Sequence, residues 1–181
     1  MLHICCAPDA TVPWPELMAE GYETDGFFYG SNIHPAPEWR LRRESVLALS
    51  GVIGSPVGIA EYEPGRWVDA TYEMRDCPEG GLRCAECFAL QLAAASRFAS
   101  DAGGYDFLCT TLTISPHKDP ALINRIGAEV SSLHGLGWIE RVWRKEGGFA
   151  LSVARSLELG LYRQKYCGCS YGLRDRRGDF S

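Results

Sequence analysis

The chain has 181 residues, of which 46% are hydrophobic and 23% charged. That composition fits a compact domain with a sizeable core and excludes disordered, collagen-like and low-complexity classes. The formal charge of −5 argues against a generally basic nucleic-acid clamp, though not against a local basic patch. Eight cysteines are the unusual feature of the composition, because a chain of this size needs no cross-links.

Leu2 to Cys6 is an apolar run too short for a helix and reads as a buried strand. Asp9 or Thr11 is placed to cap a helix carrying Trp14, Leu17 and Met18. Asp25 to Tyr29 reads as a second strand, Glu38 to Ser50 as a helix and Val57 to Tyr62 as a third strand. Pro64 to Leu82 is a long connection with about one helical turn around Trp67 to Tyr72. Cys84 to Ser100 is helical with no breaker, and Tyr105 to Thr111 is a fourth strand. A polar loop, Ser115-Pro116-His117-Lys118-Asp119, leads to Pro120 at the first position of a helix running on to Leu133. Trp138 to Trp143 is a fifth strand, and Gly148 to Leu159 is a last helix ended by Gly160. The remainder is irregular, and the tail 172–181 is expected to fray.

No repeat, linker or charge run divides the chain, so 1–181 reads as a single domain. The alternation of strands and helices predicts an α/β fold with a mostly parallel sheet. Ligands of such sheets bind beyond the carboxyl ends of the strands, where the strand order reverses. Cys5-Cys6 ends the first strand and Cys109-Thr110-Thr111 ends the fourth, so both face that crevice. The N-terminus has no basic region, and Pro8 and Asp9 interrupt its apolar stretch, which is not a signal peptide. No run of ~18 apolar residues exists, so no membrane contact is expected. A cytoplasmic location follows, in which clustered cysteines serve metals or catalysis more often than disulfides.

Six cysteines form three pairs: Cys5-Cys6, Cys84-x-x-Cys87 and Cys167-x-Cys169, with Asp9 just after the first. A thioredoxin-like protein carries one such pair rather than three. A closed zinc site uses four ligands, fewer than six thiols and a carboxylate supply. A [4Fe–4S] cluster takes four thiolates and leaves two thiols and Asp9 for a redox couple or a second metal. In an extended strand Cys5 and Cys6 point to opposite faces; either the strand breaks there or the two serve different metals. The close spacing of Cys167 and Cys169 strains any disulfide between them, which suits a reducible couple, but two thiolates also suit a metal. Cys77, in a loop, and Cys109, within an apolar strand, read as background.

Four blocks carry a family resemblance over essentially the whole chain. They are Leu2-His3-Ile4-Cys5-Cys6-Ala7-Pro8-Asp9, Glu79-Gly80-Gly81-Leu82-Arg83-Cys84-Ala85-Glu86-Cys87-Phe88, Thr110-Thr111-Leu112-Thr113-Ile114-Ser115-Pro116-His117-Lys118 and Gly160-Leu161-Tyr162-Arg163-Gln164-Lys165-Tyr166-Cys167-Gly168-Cys169. In these the sequence resembles the QueH family of epoxyqueuosine reductases. The resemblance implies a Rossmann-like fold of the adenine-nucleotide α-hydrolase group. It implies removal of the epoxide oxygen of epoxyqueuosine at the tRNA wobble position, with a [4Fe–4S] cluster and no cobalamin. Carried over, Cys5, Cys6, Cys84 and Cys87 would hold the cluster. Cys167 and Cys169 would be a redox pair or ligands to an adjacent mononuclear iron, with Asp9 an additional ligand. Many members have a cysteine where this chain has Asp9. A basic residue of the family's Cys-Phe-x-x-x-Leu stretch is Gln91 here, and no role is carried onto it.

Loss of an epoxide oxygen needs two electrons and a proton donor or Lewis acid at the developing alkoxide. A single cluster passes one electron at a time, so a second redox element beside it is a chemical requirement. His117 and Lys118 are candidate proton donors or phosphate contacts. The implied partners are tRNA, held through its anticodon loop, and a low-potential electron donor such as ferredoxin or flavodoxin. Arg40, Arg42 and Arg43, then Arg163 and Lys165, then Arg174, Arg176 and Arg177 could supply local basicity, and Trp39, Tyr162 and Tyr166 could stack on unpaired bases. Two other readings compete: a zinc-stabilised RNA-binding module without catalysis, and an ATP-dependent tRNA-modifying enzyme of the same fold group. Against the latter, the first strand ends in Cys-Cys-Ala-Pro, and no Gly-rich phosphate cradle is present.

Overall fold

The computed structural model describes residues 1–173. Five short strands, β1 (Leu2–Ile4), β2 (Gly26–Phe28), β3 (Val57–Ile59), β4 (Phe107–Thr110) and β5 (Gly137–Trp138), form one parallel sheet in the order β3-β2-β1-β4-β5. The α/β Rossmann-like expectation holds. The chain steps outward from β1 through β2 to β3, then returns to the other side of β1 at β4. The strand order therefore reverses between β1 and β4, where His3 pairs with Thr110. An open crevice forms at such a reversal because the two flanking connections leave in opposite directions.

The central strand β1 is wholly buried, as a continuous apolar run covered on both faces must be. Around it lie α1 (Ala7–Ala10), α2 (Pro13–Ala19), α3 (Ala36–Ile53), α4 (Pro64–Thr71), α5 (Leu82–Ala102), α6 (Pro120–Leu133) and α7 (Gly148–Glu158). One core packs Leu2 and Ile4 with Trp14, Phe28, Val46 and Leu49. Another packs Phe27 and Leu108 with Ala95 and Ala99 of α5. The helix α6 starts as its sequence predicts, with Asp119 accepting from the Ala121 and Leu122 amides and Pro120 following.

Several boundaries differ from expectation. Strand β1 stops at Ile4, because the Cys5 amide donates to the Thr111 hydroxyl at 3.2 Å instead of continuing the ladder. Neither Asp9 nor Thr11 is the N-cap of the helix carrying Trp14, which is Val12: Asp9 lies inside α1, and Thr11 is the C-cap of α1, its hydroxyl donating back to the Pro8 carbonyl. The fifth strand is two residues long rather than six. Beyond it Trp143 turns inward and its indole donates to the Thr110 carbonyl at 2.9 Å, which takes that segment off the sheet edge. The connection after β3 holds two turns of helix α4 and a 3₁₀ turn at Tyr72–Met74. Helix α7 ends at Leu159 as its C-cap, followed by Gly160. A helical turn spans 170–173; the rest of the tail, with Arg174, Arg176 and Arg177, lies outside the described residues.

Candidate active site at the strand-order reversal

A cavity of about 620 Å³ opens at the carboxyl edge of β1 and β4. Its lining includes Cys5, Cys6, Cys84, Cys87, Cys167 and Cys169, together with Asp9, His117 and Lys118. Three stretches separated by about eighty residues each thus converge on one space. Cys77 and Cys109 do not line it; Cys109 is a residue of β4, buried in the core.

The break after Ile4 resolves the problem of the vicinal pair. Cys6 becomes the N-cap of α1, in extended conformation, and α1 brings Asp9 back toward the pair. One ligand atom from each of Cys5, Cys6 and Asp9 lies within 4.8 Å of the others, a separation suited to a single ion. The Cys5 thiol donates to Asp9 Oδ2 at 3.1 Å.

Cys84 and Cys87 lie in the first two turns of α5. The Gly80 amide donates to Cys84 Sγ at 3.2 Å. Cys87 Sγ accepts from the Trp67 indole at 3.3 Å and from Gln91 Nε2 at 3.2 Å. On the opposite wall Gln164 Nε2 donates to Cys6 Sγ at 2.8 Å, and the Gly172 amide to Cys169 Sγ at 3.2 Å. Cys167 and Cys169 hold their sulfurs 3.9 Å apart.

The segment bearing these two cysteines has no helix or strand of its own from Leu161 to Gly168, and α3 fastens it. Arg42, only 2% exposed, donates to the Tyr166 and Cys167 carbonyls at 3.0 Å each, and to Glu38 Oε1 at 2.8 Å. Glu38 also accepts from the Tyr162 hydroxyl at 2.6 Å. Gly168 stands at φ +120, where a side chain would be strained and would meet Arg42 at 3.0 Å. The Gly168 carbonyl in turn accepts from the His34 amide at 2.8 Å.

Burial is the chief cause that pushes the Cys6 and Cys84 thiols up, and it takes Cys87 to about 12. Neighbouring sulfurs add to the effect at all three. Cys167 departs from this: the hydrogen bond from Cys169 brings its thiol down to about 6, while Cys169 is pushed up in return. At Lys118 burial opposes the charge, but Cys5, Asp9, Cys167 and Cys6 together outweigh it and raise its pKa. Crowded thiols that resist ionisation become thiolates when a metal binds, so the donor set suits a soft metal or cluster.

The family model described as epoxyqueuosine reductase QueH matches residues 1–175. The chain belongs to the epoxyqueuosine reductase QueH family. It is accordingly an oxidoreductase. The protein named epoxyqueuosine reductase QueH from Thermotoga maritima is 34% identical over 180 residues, covering 98% of this chain and 91% of that one. Those of Haemophilus influenzae and Histophilus somni are each 34% identical, over 97% of this chain and 71% and 72% of theirs.

Other expectations need correction. Arg42 is not available to RNA, because all its hydrogen-bonding edges point into the protein. Trp39 stacks on Tyr62 at 4.4 Å, and Arg43 lies over its ring. Tyr166 donates to the His34 carbonyl and lies under Arg42, so it too is engaged inside the fold. Arg40 and Lys165 remain exposed. Gln91 and Trp67 were not legible as site residues. Gln91 sits in the apolar run of α5, and Trp67 in a stretch that reads as connection. No helix among the described residues is long and apolar enough to cross a membrane.

Proposed function

We propose that this chain reduces epoxyqueuosine to queuosine at the wobble position of tRNA. The observation that carries this reading is the convergence of three remote cysteine pairs, Asp9 and Lys118 on one cavity at the strand-order reversal. The reaction consumes an epoxide, two electrons and two protons, and yields an alkene and water. Cys5, Cys6, Cys84 and Cys87 would hold a [4Fe–4S] cluster, which supplies single electrons at low potential when bound. Cys167 and Cys169 are the second redox element or the ligands, with Asp9, of a mononuclear iron. As a dithiol the pair yields two electrons and two protons on closing to a disulfide, which matches the demand.

Burial opposes the charge on Lys118, but Cys5, Asp9, Cys167 and Cys6 around it favour its ammonium form. Its ammonium group therefore stabilises an oxyanion and donates a proton to it, the role required as the C–O bond breaks. Arg144 donates to the Ser115 and Lys118 carbonyls at 3.0 and 2.7 Å, fixing the loop that carries it. His117, exposed on the same loop, is available to a phosphate of the anticodon backbone. Arg163 on the opposite wall and exposed Lys165 add positive charge near the entrance. A low-potential donor of the ferredoxin or flavodoxin type would restore the electrons.

The test is anaerobic reconstitution with iron and sulfide, then incubation with epoxyqueuosine-containing tRNA and a strong reductant, followed by nucleoside analysis. Queuosine is the expected product. Unchanged epoxyqueuosine in the presence of an intact cluster refutes the reading. Colourless protein that retains stoichiometric zinc favours an RNA-binding module, and ATP consumption favours an adenylating enzyme.

A further inference from the structure

Cys87 differs from the other cavity sulfurs in having two side-chain N–H donors aimed at it. The Trp67 indole reaches its Sγ at 3.3 Å and Gln91 Nε2 at 3.2 Å. All three residues are buried: Trp67 is 1% exposed, Gln91 3% and Cys87 7%. Both donors are held by rigid elements. Trp67 lies in α4 and packs against His34 at 5.3 Å and Tyr171 at 5.6 Å, so its indole has no freedom to turn away. Gln91 stands one turn beyond Cys87 on α5, and its Nε2 also donates to the Cys87 carbonyl at 3.1 Å. A buried amide that spends both hydrogens on one residue is placed by the helix to do so.

A buried thiol has little need of two donors, because neutral sulfur is a weak acceptor. Two N–H dipoles directed at one sulfur in a dry site matter when that sulfur carries negative charge. We propose that Trp67 and Gln91 are positioning residues that raise the reduction potential of the iron–sulfur group held through Cys87. The inference rests on the cluster reading given above. Reduction adds one electron, whose charge spreads onto the ligand sulfurs, and fixed N–H donors stabilise that more negative state over the oxidised one. Because the donors are already aligned, no reorganisation opposes the electron's arrival. Trp67 packs with both Cys87 and Cys169 in one buried apolar cluster.

The experiment is a potentiometric titration of the reconstituted holoprotein, read by visible absorption and electron paramagnetic resonance, with iron and acid-labile sulfide measured in each sample. Gln91→Met keeps the shape of the side chain and removes its donor; Trp67→Phe keeps a buried ring and removes the indole N–H. At the wild-type midpoint, each substitution is expected to shift the ratio of reduced to oxidised cluster about tenfold toward oxidised, ~59 mV for one electron. The double variant should shift by the sum. Should Trp67→Phe fail to fold, Gln91→Met alone decides. Loaded variants with the wild-type potential overturn the proposal and leave the cluster reading intact. A wild-type protein that assembles no iron and sulfide overturns both.

Discussion

Replacing Arg42 by Met should release the segment that carries Cys167 and Cys169. The substitution keeps an unbranched apolar stem in a site that is 2% exposed, so packing is largely conserved. What it removes is a guanidinium that holds Glu38 at 2.8 Å and the Tyr166 and Cys167 carbonyls at 3.0 Å. Hydrogen bonds to a charged group contribute about 1.5–3 kcal/mol each, but three on one residue do not add fully. Removing one member of a buried ion pair costs ~3–5 kcal/mol, because the other charge stays behind; here that charge is Glu38, with an 11% exposed side chain. About 3–5 kcal/mol is therefore expected. It should appear first as local opening, since Leu161 to Gly168 has no ladder or helix to fall back on. Urea unfolding of the metal-free protein gives the global loss, and amide exchange over residues 161–170 gives the local one. Arg42→Lys, which keeps the charge but not the fork, should fall between. If Arg42→Met loses less than about 1 kcal/mol and exchange over 161–170 is unchanged, the clamp is not what holds this segment.

Three further outcomes are expected. His3 is fully buried against the Thr110 hydroxyl at 2.9 Å, and burial, helped by Lys118, pushes its pKa down to about 3. The unfolded chain takes up that proton near pH 6.5, so stability is full above that pH and lost as pH falls from 6.5 toward 3, by about 1.4 kcal/mol per unit; in the metal-free protein His3→Gln should remove this component of the pH dependence, and parallel wild-type and variant curves count against it. In metal-free protein, alkylation of Cys167 followed by mass spectrometry should titrate near pH 6, with reactivity rising as the thiolate forms. Cys169→Ala should move that midpoint up more than Lys118→Met does, because the Cys169 hydrogen bond is the larger cause; the reverse order would refute the assignment. Asp119→Ala should cost ~1 kcal/mol in urea unfolding through loss of the α6 cap, whose carboxylate accepts from two amides, and an unchanged midpoint would show that those bonds are dispensable.

The fold class was legible in the sequence, and so were the six cysteines and Asp9 that line the cavity. Apolar runs of strand length alternate with helical patterns, and that local periodicity points to a mostly parallel sheet, but the order β3-β2-β1-β4-β5, with β1 at its centre, came only from the tertiary structure. The paired spacing of six cysteines was enough to separate them from Cys77 and Cys109. The vicinal pair shows where such reading stops. Alternation put Cys5 and Cys6 on opposite faces, and only the Thr111 hydroxyl just past the end of β4, which takes the Cys5 amide, ends β1 early enough to gather both with Asp9. Arg42 looked like a member of a local basic cluster, and Gln91 carried no role. Their roles became visible only when α3 met the segment after α7, and when α4 laid Trp67 beside the same sulfur as Gln91. Spacing along a chain reports which groups share a face. It does not report which remote carbonyl or sulfur a buried donor will find, because that partner is chosen when the layers close and most buried polar groups find one another.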